Sequence, residues 1–234
     1  MEARKGGFAL ASIGNSNHHG TLGYYTRLAA KEGFIAILAS NASASMPPYG
    51  SIENILGTNP FAVSFPAGKY ENFTIDVAMT TVARGKIRMY EKKGKEIPLG
   101  WAMDAEGNDT TNPTAAMAGG LLPMGDHKGY GLAVVVDMLC GILTGSNLSF
   151  EIETMFKTTR NANIGHFMML LDISRFIPLE AFEKRVEQWF DKMKAAKLRP
   201  GFEEVIIPGE PENKRNAAKS ETIEVLDKTV ESIM

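Results

Sequence analysis

Short apolar runs alternate with glycine- and asparagine-rich turns and with segments of helical period along most of the chain, and this alternation restricts it to an α/β architecture. The first such unit is the clearest. Phe8 to Ile13 reads as a strand that runs into the polar turn Gly14-Asn-Ser-Asn-His18-His19-Gly20. Leu22, Tyr25, Leu28 and Ala29 then recur at helical spacing until Gly33, and Phe34 to Ala39 forms a second strand-like run. In an open α/β sheet the histidine loop would sit at a strand's C-terminal end, where such sheets commonly bind ligands.

Further along, Phe61 to Phe65 and Asn72 to Val77 read as strands able to pair antiparallel, and Thr80 to Lys92 as a half-exposed helix. Turn chemistry dominates Trp101 to Pro113, whereas Gly129 to Leu143 is nearly all apolar and reads as a core helix, too short to span a bilayer. Gly165 to Ile173 is expected as a buried strand, and Leu179 to Ala196 as an amphipathic helix with Phe182, Val186, Trp189, Phe190 and Met193 on one face. Glu203 to Ile207 reads as a last strand, ended by Pro208-Gly-Glu210-Pro, and a C-terminal helix is expected from Ser220 to Ile233. At 234 residues, with no repeat and no linker-like shift in composition, a single domain is expected.

Composition narrows the partners. The 25 basic and 27 acidic side chains lack the cationic excess that a phosphate backbone demands, so nucleic acid is not expected. A single cysteine, Cys140, allows no internal disulfide and no thiolate cluster, which suits a reducing cytoplasm; the start is unlike a signal peptide.

Several positions carry chemistry. His18 and His19, in a loop after a strand, are placed to act as acid or base, or simply to cap turns. Zinc is the weaker reading, since no thiolate cluster or His-Glu-x-x-His spacing accompanies them. Lys128, in Gly125-Asp-His-Lys-Gly129-Tyr-Gly131 before an apolar run, marks either an anion site or a plain glycine-rich helix start. Asp76, ending a strand, either meets a ribose hydroxyl, orients a histidine or caps the next helix, and Pro208-Gly209-Glu210 either meets a cofactor or is an ordinary turn.

Read together, the motifs form one ordered series. Ser16-Asn-His18-His-Gly20, Gly57-Thr-Asn-Pro60, Asp76-Val-Ala-Met-Thr80, Gly100-Trp-Ala-Met-Asp104, Thr110-Thr-Asn-Pro113, Leu121-Leu-Pro-Met-Gly125, His127-Lys-Gly-Tyr-Gly-Leu132, Asn163-Ile-Gly-His-Phe167 and Pro208-Gly-Glu210 follow in turn. In this the chain resembles the malate/L-lactate dehydrogenase family, whose members include ureidoglycolate, sulfolactate and piperideine-carboxylate oxidoreductases.

The resemblance implies a mixed α/β fold with a mainly antiparallel sheet and flanking helices, not a Rossmann fold, and hydride transfer between NAD or NADP and a small 2-oxo/2-hydroxy acid. It also implies a homodimer. By the same resemblance His18 is the catalytic histidine, with His19 its neighbour, and the cofactor contacts fall on Asn41, Ala42 and Ser43, on Asp76, Val77 and Ala78, on Lys128, and on Pro208, Gly209 and Glu210. The match covers about the last two-thirds of a typical member. The family's N-terminal helical segment, with a Ser-His-Gly motif and basic residues for the substrate carboxylate, is not matched here. Asn112 replaces the usual Asp of Thr-Thr-Asp-Pro, and Ala42 stands where some members have Ser. A non-catalytic homologue that binds dinucleotide, or only assembles with homologues, is the competing expectation.

Overall fold

The computed structural model describes residues 2–154 and 161–218; the helix expected from Ser220 lies outside them. After a short α1 (Glu2–Gly6) come β1 (Phe8–Ser16), α2 (Leu22–Lys31) and β2 (Phe34–Ser40). β3 (Phe61–Pro66) and β4 (Asn72–Val77) precede a small region built from α3 (Arg84–Lys92), β5 (Ala102–Met103), α4 (Pro113–Ala118) and β6 (Gly120–Leu121). Then follow α5 (His127–Asp137), which runs directly into a π-helical turn at Met138–Ile142, then β7 (Ile164–Asp172), α6 (Leu179–Lys194) and α7 (Glu210–Ala217).

Five strands form one sheet in the order β1-β7-β2-β3-β4, every pairing antiparallel. Its two faces are covered differently, because successive strand residues point to opposite sides. On one face Leu22 of α2 packs with Leu38, Ala62 and Met168, and Thr26 joins Ser64 and Thr74 in a buried hydroxyl chain at 2.8 and 2.9 Å. On the other, Val136 and Cys140 pack on Ala39, Phe61 and Phe167, while Val186 and Phe190 of α6 gather Phe65, Phe73 and Ile207. Val82, Ile87, Ala102, Ala116 and Leu121 hold the small region together as a separate cluster.

Two expectations need correction. Residues 203–207 form no strand: the Val205 carbonyl accepts from Lys194 Nζ at 3.0 Å and Ile207 N–H donates to Glu210 Oε2 at 3.0 Å. Side chains thus satisfy backbone groups that a ladder would otherwise use. The apolar segment read as a core helix is α5 plus the π turn, and only one side of it is inside. Ala133, Val136 and Cys140 are buried, but Leu132, Val134, Val135, Ile142 and Leu143 are exposed. An all-apolar composition hid which side faces the sheet.

Asp137, at the end of α5, is the buried exception to that apolar run. Its Oδ1 accepts from Ser149 Oγ at 2.9 Å and Asn41 Nδ2 at 3.2 Å. Burial raises its pKa, and the surrounding hydrogen bonds only partly offset this. Removing the acceptor strands buried donors, so Asp137→Ala is expected to cost about 2–3 kcal/mol in urea unfolding. A raised folded-state value means that the unfolded chain ionises first. This group's contribution therefore falls as pH rises from about 3.9, the unfolded value, through its folded value. The gap between wild type and Asp137→Ala should accordingly be widest in acid.

Candidate functional site

β1 delivers the chain into the loop 17–20, and α2 begins at Leu22, so both loop histidines sit where an edge strand meets a helix start. Gly20 N–H donates to His18 Nδ1 at 3.0 Å. With that nitrogen acting as acceptor, the neutral His18 ring carries its proton on Nε2. The His18 and His19 rings stack at 5.4 Å and 8°.

A third imidazole completes the group. His166 of β7 lies opposite Ile13 on one neighbour and Ser40 on the other, meets His19 edge-on at 5.2 Å, and is only 6% exposed. Its Nδ1 lies 2.9 Å from Ser40 Oγ. Burial is the main force on both inner rings and disfavours their charged forms: His19 is pushed down to about 4, with the neighbouring His166 and His18 adding to the effect. His166 is lowered as well, against the pull of the Asn17 carbonyl. The three rings line a cavity of about 820 Å³ whose other walls include Leu22, Leu38 and Met168. Among the described residues lining it there is an acid, Glu32, but no lysine or arginine.

Across α2 lies a second cleft of about 1010 Å³, and Leu28 borders both. Asp76, Val77, Pro208 and Gly209 line this cleft together, along with Arg27 and Lys31. Asp76 does not cap a helix of its own segment, as one reading had it; its Oδ2 accepts from Gly23 N–H at 2.8 Å, in the first turn of α2. A carboxylate is favoured there by the unpaired N–H groups of the helix start. Gly209 has φ +99, and a Cβ on it would come within 2.9 Å of Thr74 N, so only glycine lets this turn lie against β4.

The other expected contacts are placed elsewhere. The Asn41 side chain is spent inside the protein, donating to Asp137 and to the Asn147 carbonyl at 2.7 Å and accepting from Gly165 N–H at 3.1 Å. Ala42 N–H donates to Asn59 Oδ1 at 3.1 Å, and Ser43 is half-buried beside it. Lys128 is exposed in the first turn of α5. The turn that carries Val77 and Ala78 meets this helix start, since Met124 N–H donates to the Met79 carbonyl at 2.9 Å. Glu210 turns inward to Lys194 at 2.9 Å. Burial opposes its ionisation, but Lys194 and the Ile207 N–H outweigh that and hold its carboxyl below the usual range.

The sequence reading passed over His166, Arg27 and Lys31. A lone histidine inside an otherwise apolar strand was the available signal for the first. The two basic residues look like any solvated helix face until the cleft is seen.

Comparison with known proteins completes this picture. The profile of the family described as malate/L-lactate dehydrogenase matches residues 1–234. The chain belongs to the malate/L-lactate dehydrogenase family. It is 42% identical over 217 residues to malate dehydrogenase of Pyrococcus horikoshii, a match covering 89% of this chain and 59% of that protein. With L-sulfolactate dehydrogenase of Methanocaldococcus jannaschii it shares 34% identity over 96% of this chain and 64% of the relative. The solved structure of sulfolactate dehydrogenase from that organism superposes with a TM-score of 0.88 at 34% identity, covering 97% of this chain and 65% of that one. The chain thus spans about three fifths of the length of the curated relatives it matches best among these. Family members differ in cofactor by name: the sulfolactate enzyme of Chromohalobacter salexigens is designated for NADP+ and the ureidoglycolate enzyme of Escherichia coli K12 for NAD+. The mixed α/β fold, an antiparallel sheet with flanking helices, is shared with these dehydrogenases.

Proposed function

We propose that this chain carries the cofactor cleft and the proton-handling histidine of an NAD(P)-dependent 2-hydroxy acid dehydrogenase. The observation that carries the reading is the pair of cavities on either side of α2, one lined by imidazoles and the other by Asp76 and the Pro208-Gly209 turn. The second cleft fits a dinucleotide in kind. It offers a carboxylate oxygen for ribose hydroxyls, backbone brought close at Gly209, and two cations for phosphate. Val77 lines the same cleft, and Glu210 steadies its Pro208-Gly209 edge by accepting from Lys194 and the Ile207 N–H; Ala78, Lys128, Asn41, Ala42 and Ser43 are not among the described residues that line it, and their assignment to the cofactor rests on the family resemblance alone.

A bound reduced nicotinamide supplies hydride, and with it both electrons, to the carbonyl carbon of a 2-oxo acid. The chain's own task is the oxygen. Charge builds there as hydride arrives, and His18 as an imidazolium donates one ring proton to that oxygen, is left as the neutral imidazole, and recovers the proton in the oxidation direction. Stacking on His19 holds the ring in place.

A second reading is favoured by one observation. No lysine or arginine lines the imidazole cavity among the described residues, so nothing there grips a substrate carboxylate. On that reading the chain binds dinucleotide without turnover, or gains the cation from another chain. The exposed Phe8 and Leu10 of β1 and Leu132 and Val135 of α5 supply apolar surface for a second copy, consistent with a homodimer.

Titration of the purified chain with NADH and NADPH by nicotinamide fluorescence, followed by pyruvate, oxaloacetate and sulfopyruvate in the same cuvette, tests both readings. Saturable binding with cofactor oxidation is the expected result. Binding without oxidation selects the second reading, and no binding overturns both.

A further inference from the structure

Strand alternation places Leu38, Met168, His166 and Ile13 on the face of the sheet that α2 packs against. Leu22 of α2 seats itself on Leu38 and Ala62 of β2 and β3, and the imidazole cavity lies beside it, along β7 and β1. The polar lining comes from the end of β1 and the loop after it, through Ser16, Asn17 and the histidines. The apolar lining comes from α2 and the sheet, with Leu22 and Leu38 as a buried floor and Leu28 and Met168 as more open neighbours.

Charge is scarce there. Glu32 is the one carboxylate, and no lysine or arginine stands among the described residues of the lining. Cations elsewhere in this part of the fold are committed: Arg4, which donates to the Glu32 carbonyl, pairs with Asp172 at 2.8 Å and lies over the Phe34 ring, while Arg27 and Lys31 line the other cleft. Burial disfavours a charge on His19 and on His166. On the dehydrogenase reading the lining therefore supplies a single positive charge, the His18 imidazolium.

We propose that this cavity selects 2-oxo acids with one carboxylate and a bulky apolar side chain, such as 4-methyl-2-oxopentanoate, over those with a second anionic group, such as oxaloacetate and sulfopyruvate. The proposal rests on the dehydrogenase reading for the reaction and on the lining for the choice of acid. The carboxylate next to the reacting carbonyl is balanced by the His18 imidazolium. A second anionic group would lie against apolar walls without a partner, with Glu32, a charge of the same sign, lining the same space. An isobutyl side chain instead exchanges water for Leu22, Leu38 and Met168, and a cavity of about 820 Å³ has room for it that pyruvate leaves empty. Malate and sulfolactate, for which the relatives above are named, each carry two anionic groups, so this selection sets the chain apart from them.

The test compares kcat/KM of the full chain for 4-methyl-2-oxopentanoate, pyruvate and oxaloacetate, with NADH and with NADPH. The expected order puts 4-methyl-2-oxopentanoate about tenfold or more above pyruvate, and pyruvate above oxaloacetate. Any order in which the apolar acid does not lead, or oxaloacetate does not trail, overturns the proposal. Glu32→Lys places a cation at the C-cap of α2, where the helix dipole tolerates it, and should narrow the ratio between 4-methyl-2-oxopentanoate and oxaloacetate about tenfold. An unchanged ratio overturns the part given to Glu32.

Binding is read separately, without cofactor, from the ring-nitrogen NMR spectrum of the 15N-histidine-labelled chain titrated with 2-hydroxy-4-methylpentanoate and with L-malate. If no acid is turned over, the dehydrogenase reading fails. Tighter binding of 2-hydroxy-4-methylpentanoate, with shifts at His18 and His19, then still supports the selection, whereas equal binding or none overturns it.

Discussion

His18→Asn is expected to cut the turnover of a 2-oxo acid by roughly 10²–10⁴ while leaving NADH affinity nearly unchanged. The separation of the two effects follows from the two cavities. His18 lines the imidazole cavity, whereas Asp76, Gly209 and Arg27 line the cleft on the far side of α2. Asparagine still fits the loop and offers an amide hydrogen, so a hydrogen bond to the substrate oxygen can survive. What is lost is a ring nitrogen able to give up and regain a proton. Stopped-flow single-turnover measurements, with NADH titrated separately by fluorescence, read the two quantities independently. Unchanged turnover would remove His18 from the chemistry, and a parallel loss of NADH affinity would show that the cavities are not separate.

Gly165→Ala is expected to destabilise the chain by about 3 kcal/mol or more, and to leave much of it insoluble on expression. A Cβ at this position would overlap the carbonyl oxygen of Cys140 and stand 2.6 Å from Thr144 Oγ1. The obstacle is backbone, and its position is fixed from several sides. Cys140 sits in the π turn, buried against Ala39 and Phe167. Gly165 N–H donates to Asn41 Oδ1, and the Gly165 carbonyl accepts from Asn41 N–H at 3.4 Å. Relief would have to come from moving β7 away from the helix, which would pull His166, the next residue, out of the imidazole group. Thermal unfolding of whatever soluble variant is obtained measures the first effect, and the histidine ring spectrum measures the second. A variant with wild-type stability would show that the close approach of β7 to the π turn is not what holds these elements together.

Much of this was legible in order along the chain. The strand, loop, helix and strand of residues 8–40 follow from a run of apolar residues, a polar turn and a change to helical period, and the antiparallel pairing of β3 with β4 follows from two strands with a short connection. α6 was equally plain, because a helix with one wet face must separate Phe182, Val186 and Phe190 from Glu183, Lys184 and Glu187. Where the pattern carried no such contrast, the reading failed. An unbroken apolar stretch states that burial is available without stating on which side, so the exposed half of α5 was missed. Residues 203–207 have strand-like composition, yet their partners are the Lys194 and Glu210 side chains, and composition does not record partners.

The sequence pattern by itself determined the local elements, the pairing of β3 with β4 and the loop that holds His18, since each depends on neighbours within a few residues, whereas the antiparallel class of the whole sheet was implied only by the family resemblance. Only the tertiary structure decided what those residues do together. His19 and His166 are 147 positions apart in sequence, and the pairing of β7 between β1 and β2 brings their rings to 5.2 Å. The same holds for Asp76, which looks like a cap for its own segment and instead binds the start of α2, and for Asn41, whose three hydrogen-bond partners come from β7, α5 and the chain between them. Hydrogen bonds and desolvation act through space, so the chemistry of a polar side chain is set by the groups folding places within about 3 Å of it, and periodicity along the chain does not encode that distance.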